Sequence, residues 1–271
     1  MRDAGSNGST CDFATGRQAG DGLYLQRSSE VEPTSNGKCE GARLHGSKQR
    51  ETATPPQQLS GGSLTREQFL LHEGRIVADL KTQGLTDDEI LDLAKRENIF
   101  QYPTKKEIRS KTVACLRRVN VAGPQLAELL AHGTPMQAAQ VNLYAMMRVY
   151  HLMLHFMMDE IAVRFSELNY SISQTDIHAF LSRYQGQYVE GDGWTDATVK
   201  RLKSLLVNVL VQAEYLESSK STDLRTVLLD FEVEEGIRAN GDEKLLCAFG
   251  SQYPFETSAS WEAEQAMREV S

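Results

Sequence analysis

LLHEGRIVADL, residues 70–80, and ENIFQYPTKKEIRSKTVACLRRVN, residues 97–120, carry the pattern that decides the fold. In the first, Ile76, Val77 and Leu80 recur at helical spacing, with Phe69 two turns earlier. Such a stripe marks an amphipathic helix. Thr65, with Gln68 three residues on, reads as its N-cap, and Gly84 as its end. In the second, Pro103-Thr104 opens a helix that turns Ile108, Val113, Leu116 and Val119 inward and breaks at Gly123-Pro124. Between them Thr86 caps a helix whose first turn holds Asp87, Asp88 and Glu89, where negative charge suits the helix dipole. Its inward positions are Ile90, Leu91, Leu93 and Ala94.

Downstream, a short helix covers Gln125–Ala131 and stops at Gly133-Thr134-Pro135. Met136 to Leu168 is dense in Met, Leu, Tyr and Phe, and reads as the central core helix or a broken pair. Ser173 or Thr175 caps a helix through Tyr184. Trp194-Thr195-Asp196 opens another through Glu214, with Val199, Leu202, Leu206, Val209, Leu210 and Ala213 inward. LRTVLL, residues 224–229, is the one convincing β-type run. Asp230 then caps a last helix that ends at Asn240-Gly241. The expectation is an all-α domain with at most one small C-terminal β-hairpin. Helix, loop, basic helix, turn and strand is also the order of a winged helix-turn-helix, and that architecture stays open. Residues 1–63 are rich in Gly, Ser, Thr and Asn without apolar periodicity, and read as a disordered polar arm. The helical domain is placed at 64–251, with a sub-boundary near 169, and a flexible tail at 252–271.

The net charge of −8 over 271 residues excludes a globally basic nucleic-acid protein. The four cysteines, Cys11, Cys39, Cys115 and Cys247, form no CxxC pair, which argues for a reducing compartment and against a disulfide framework or a zinc site. The most apolar stretch, residues 141–163, contains Arg148, His151, His155, Asp159 and Glu160, so a membrane span is not expected. The N-terminus lacks the basic-then-apolar order of a secretory leader.

Candidates for chemistry are few. His151 and His155 stand four apart, a spacing that can hold a metal, but HLMLH lacks the Glu of HExxH and shows no third ligand. They read as core or helix-interface histidines, and no metal or other cofactor is expected. His72-Glu73-Gly74 reads as a close helix contact rather than an acid–base pair. Trp194 reads as a hydrophobic staple. Gly61-Gly62-Ser63 lacks the remainder of a phosphate loop, and no GxSxG occurs. The enzyme hypothesis therefore has no residues to stand on.

The basic run is the best candidate. Lys105, Lys106, Arg109, Lys111, Arg117 and Arg118 face one acid, Glu107, within it. On a helix, Lys105, Lys106, Arg109 and Arg117 flank one outward face, which would neutralise phosphates without reading sequence. The competing interpretation is a solvated face that keeps the protein soluble. Lys200, Arg201 and Lys203 form a second basic group that would enter a groove in the winged arrangement.

Four segments together resemble the BrxA-like family of BREX bacteriophage-exclusion systems: LLHEGRIVADL, ENIFQYPTKKEIRSKTVACLRRV, MMRVYHLMLHFMMDEIAVRF (residues 146–165) and GWTDATVKRLKSLLVNVLVQAEYLE (residues 193–217). The resemblance implies a small, non-enzymatic, NusB-like helical protein. It also implies a cytoplasmic accessory role that binds double-stranded DNA beside a methyltransferase and an ATPase. The nine basic residues above are the positions it would assign to DNA. The alternative is a protein–protein adaptor without DNA contact. The long polar N-terminal arm departs from the family pattern.

Overall fold

A computed structural model describes residues 61–191, 193–250 and 257–270. Most of the polar arm, with Cys11 and Cys39, lies outside them. After a short helix α1, Gly61–Leu64, come α2, Leu71–Thr82, and α3, Asp87–Glu97. The long α4, Lys105–His132, and α5, Pro135–Val149, follow. A broken rod comprises α6, His151–Phe156, a π-helical turn, Met157–Ala162, and α7, Val163–Ser166. Then come α8, Gln174–Tyr188, α9, Asp196–Gln212, α10, Phe231–Ala239, a 3₁₀ turn, Glu243–Phe249, and α11, Ser258–Val270. The fold is all-α.

Local chemistry explains where most of these helices begin. Thr86 accepts from the Glu89 amide while Glu89 reaches back to the Thr86 amide, a complete capping box. Thr134 with Gln137 and Ser173 with Asp176 repeat it. Thr104, Thr195 and Asp230 cap α4, α9 and α10 as their sequence positions predict. Thr65 does not cap α2. That helix starts at Leu71, after Leu70 in the left-handed region, with no side-chain cap. The preceding carbonyls of Glu67, Gln68 and Phe69 accept instead from the buried Arg118 guanidinium at 2.6, 2.7 and 2.6 Å.

The core is built around α4 and α5. α2, α3 and α5 all pack on α4, whose rod is broken at Gly123, φ 81° and ψ 169°, a backbone state that glycine tolerates. Nearly every residue of α5 is buried, Gln137 to Met147 without interruption, so it runs through the centre of the core, enclosed on all sides. The side-chain amide nitrogens of its buried Gln137, Gln140 and Asn142 are partnered. The Gln137 amide donates to Asp230 at 3.1 Å, that of Gln140 to the Leu228 carbonyl at 2.8 Å, and that of Asn142 to the Phe69 carbonyl at 2.6 Å. Tyr150, φ −118° and ψ 112°, ends α5, so the Met136–Leu168 region is a broken pair.

Two expectations change at the C-terminal end. LRTVLL forms no strand, although just before it Asp223 makes an isolated antiparallel bridge with Ser171. Leu224 and Val227 are buried directly against the helices, and no hairpin or wing forms in the described residues. The assignment of 252–271 as a flexible tail also fails for 258–270. There α11 buries Ser258 and Trp261, and the Trp261 indole donates to Asp242 Oδ1 at 3.2 Å. Asp242 also accepts from the Tyr144 hydroxyl at 2.5 Å and pairs with Arg148, so one buried carboxylate ties α5, the end of α10 and α11 together. The described residues belong to one compact unit, without a division near 169.

Candidate functional site

The basic run divides on folding. Lys105, Lys106 and Arg109 are exposed, and none has an ion pair or side-chain hydrogen bond among the described residues. Lys105 and Arg109 are one helical turn apart, and Lys106 flanks them on the outward side. All three lie in the first turn and a half of α4, next to its positive dipole end, where cations gain nothing from the helix itself. The other three members turn to internal duties. Lys111 donates to the Arg66 carbonyl at 2.8 Å, and Arg117 pairs with Glu67 at 3.2 Å. Arg118 is 1% exposed, and besides the three carbonyls it bonds the Tyr150 hydroxyl at 3.2 Å and lies over that ring. Arg118 is therefore withdrawn as a phosphate contact: its guanidinium is inside the protein, and its donors hold the chain that leads into α2.

In the second basic group, Lys200 and Arg201 are exposed and Lys203 half-buried on the first two turns of α9. Lys200 and Lys203 line a shallow cavity with His178, Ser182, Gln185 and Trp194, and Asp196 sits in the same wall. That acid tempers the field at this site. Trp194 stacks on Tyr184 of α8, with centroids 5.8 Å apart and planes at 16°, which fixes the entry to α9. Glu73 accepts from Tyr102 at 2.5 Å, so the His72-Glu73 pair is not assembled for acid–base work.

A further cluster forms where α6 meets α8 and α11. His155 Nδ1 lies 2.7 Å from Asp159 Oδ2 and 2.9 Å from Ser258 Oγ, and His151 Nδ1 lies 2.6 Å from the Tyr184 hydroxyl. The two Nε2 atoms stand 3.1 Å apart, and Glu262 Oε1 sits 3.0 Å from that of His151 and 3.3 Å from that of His155. The Tyr188 ring covers both imidazoles, with centroids 4.7 and 4.6 Å away. Burial works against charge on His155, but its hydrogen bonds to Asp159 and Glu262 outweigh that and carry its pKa up to about 9. Hydrogen bonds from the two histidines bring Glu262 down to about 2. Carrying a proton, the cluster is an ionic clamp that holds α11 on α6. His155 is indeed a core histidine, at 3% exposure. The third group that the HLMLH spacing lacks is Glu262, in the segment expected to be loose. Its only advance signals were Thr257, which accepts from the Ser260 amide at 3.3 Å, and the apolar Trp261.

Among the described residues no helix is long and apolar enough to cross a membrane. The family model described as BrxA matches residues 61–241. A protein of Bacillus cereus (strain H3081.97) named BREX protein BrxA is 28% identical over 190 residues, 69% of this chain and 94% of that protein. Another of the same name, from Paramagnetospirillum magneticum (strain ATCC 700264 / AMB-1), is 23% identical over 188 residues, 69% of this chain and 92% of its own length. The crystal structure of an uncharacterized protein from Magnetospirillum magneticum has the same fold, with a TM-score of 0.62 at 21% identity over 70% of this chain and 98% of that one. With two thirds of its length, from α1 through α10, matched by the family model, the chain belongs to the BrxA family.

Proposed function

We propose that this protein is a non-enzymatic component of a BREX system that binds double-stranded DNA through the exposed cations at the start of α4. One observation carries the reading: Lys105, Lys106 and Arg109 project from consecutive turns without a partner among the described residues, whereas most other arginines of the domain are bonded to acids or carbonyls. Exposed cations at a helix N-terminus suit a phosphate backbone, where they release counterions without reading base edges. The family name of the relatives supports the BREX assignment. Lys200 and Arg201 form the second contact in this reading, with Lys203 beside them.

A second reading, a protein adaptor that does not touch DNA, draws on Leu228 and Phe231, which are 82% and 69% exposed near the start of α10. Isolated apolar residues are ordinary on surfaces, which ranks this second. Titration of a fluorescent duplex with the full chain separates the two. The triple variant Lys105→Ala, Lys106→Ala, Arg109→Ala is expected to bind at least about tenfold more weakly at low salt, whereas a Leu228→Ser, Phe231→Ser variant is expected to bind DNA as the parent does. Absence of duplex binding by the parent at low salt would move the assignment to the adaptor.

A further inference from the structure

We propose that His151, His155 and Glu262 form a site for a first-row divalent transition metal, best matched by zinc, that fastens α11 to the core. The three donor atoms form a nearly equilateral triangle with edges of 3.0, 3.1 and 3.3 Å. Zinc binds imidazole nitrogen and carboxylate oxygen at about 2.0–2.2 Å in tetrahedral sites, which places neighbouring donors about 3.3 Å apart. The triangle thus has the size of one face of that tetrahedron.

The outer contacts point the same way. A histidine that binds through Nε2 usually has its Nδ1–H held by a carboxylate or another acceptor, which fixes the tautomer and aims the lone pair. Here both Nδ1 atoms are engaged, by Asp159 on His155 and by the Tyr184 hydroxyl on His151. Ser258 in turn donates to Asp159 from its hydroxyl at 2.7 Å and its amide at 3.1 Å. Both Nε2 atoms converge on Glu262, and a metal bound there would displace the proton they share with it. Two imidazoles and one carboxylate select zinc, cobalt or nickel over magnesium or calcium, which take oxygen ligands. With three protein donors the fourth position falls to water. The π turn directly after α6 places Asp159 beneath His155, and such turns recur at functional sites. Glu262 lies beyond the segment matched by the family model, so the site joins a core helix inside that segment to a helix outside it.

The test uses the full chain, stripped with chelator and dialysed, then titrated with zinc by calorimetry and with cobalt by visible absorption. The expected result is one metal per chain, with the intense cobalt bands of tetrahedral coordination. Glu262→Gln and His151→Asn remove a ligand at half-buried positions, and circular dichroism checks their folding. They are expected to weaken binding by more than the roughly 10- to 100-fold typical for loss of an outer partner, and Asp159→Asn to fall within that range. Glu264→Gln, on the same helix, is expected to bind as the parent does. Zinc is also expected to slow amide exchange across α11 in the parent and not in Glu262→Gln. Failure of the parent to take up zinc or cobalt overturns the proposal, and so does uptake unchanged in both ligand variants, which would place the metal elsewhere.

Discussion

Arg118 shows how far a residue's role can depart from its type. In sequence it is one of two adjacent arginines in a basic run, and it reads as surface charge. In the fold it is enclosed, with its guanidinium spread over the carbonyls of Glu67, Gln68 and Phe69 and the Tyr150 hydroxyl. Removing it would leave buried acceptors unpaired, beside Glu67 with one fewer counter-charge. Arg118→Ala is therefore expected to lower stability by about 3–5 kcal/mol in urea unfolding, with DNA affinity of the folded fraction unchanged. An effect under 1 kcal/mol would contradict the anchoring role. No periodicity could reveal this, because the partners are backbone groups about fifty residues earlier. The same holds for Glu262, whose partners are brought near only by tertiary packing. What was legible was the side chain that serves its own turn of helix: Lys105, Lys106 and Arg109 stand as exposed as their positions imply.

At the scale of the element, local signals predicted helices well. Thr86, Thr104, Ser173, Thr195 and Asp230 each cap the helix their position announces, since a cap bonds within three residues and needs no tertiary context. Thr86→Ala is expected to lower stability by about 1 kcal/mol, read as a shift in the thermal midpoint without loss of the fold. Thr65 failed because the Arg118 contacts draw the segment out of helical geometry before α2. LRTVLL has strand composition but no strand among the described residues to pair with, so Leu224 and Val227 are buried from irregular backbone, and β propensity depends on such context. Close packing of α10 on α4 is equally invisible in the pattern. A Cβ built on Gly236 would stand 2.4 Å from the side chain of Leu126. Gly236→Ala is accordingly expected to cost about 1–3 kcal/mol through overpacking. If the variant proved as stable as the parent by chemical denaturation, α10 would not sit as closely on Leu126 as described.

Across the whole molecule, net charge and local charge separate. The chain carries −8 overall, so any affinity for a polyanion must come from a concentrated patch rather than from the average field. Three uncommitted cations at the start of α4 provide one. The α-helical class, the central buried helix and this patch were legible in sequence, because they follow from apolar period and charge spacing. The docking of α11 was not, because it depends on Asp242, Asp159 and Glu262 meeting partners on distant helices. The most direct test of DNA binding by this patch is the salt dependence of duplex affinity for the parent and the triple variant Lys105→Ala, Lys106→Ala, Arg109→Ala. The parent is expected to show a steep linear fall of log affinity with log salt, and the variant a slope shallower by about one for each cation removed. Parallel lines of equal slope, or no duplex binding by the parent at low salt, would contradict the assignment.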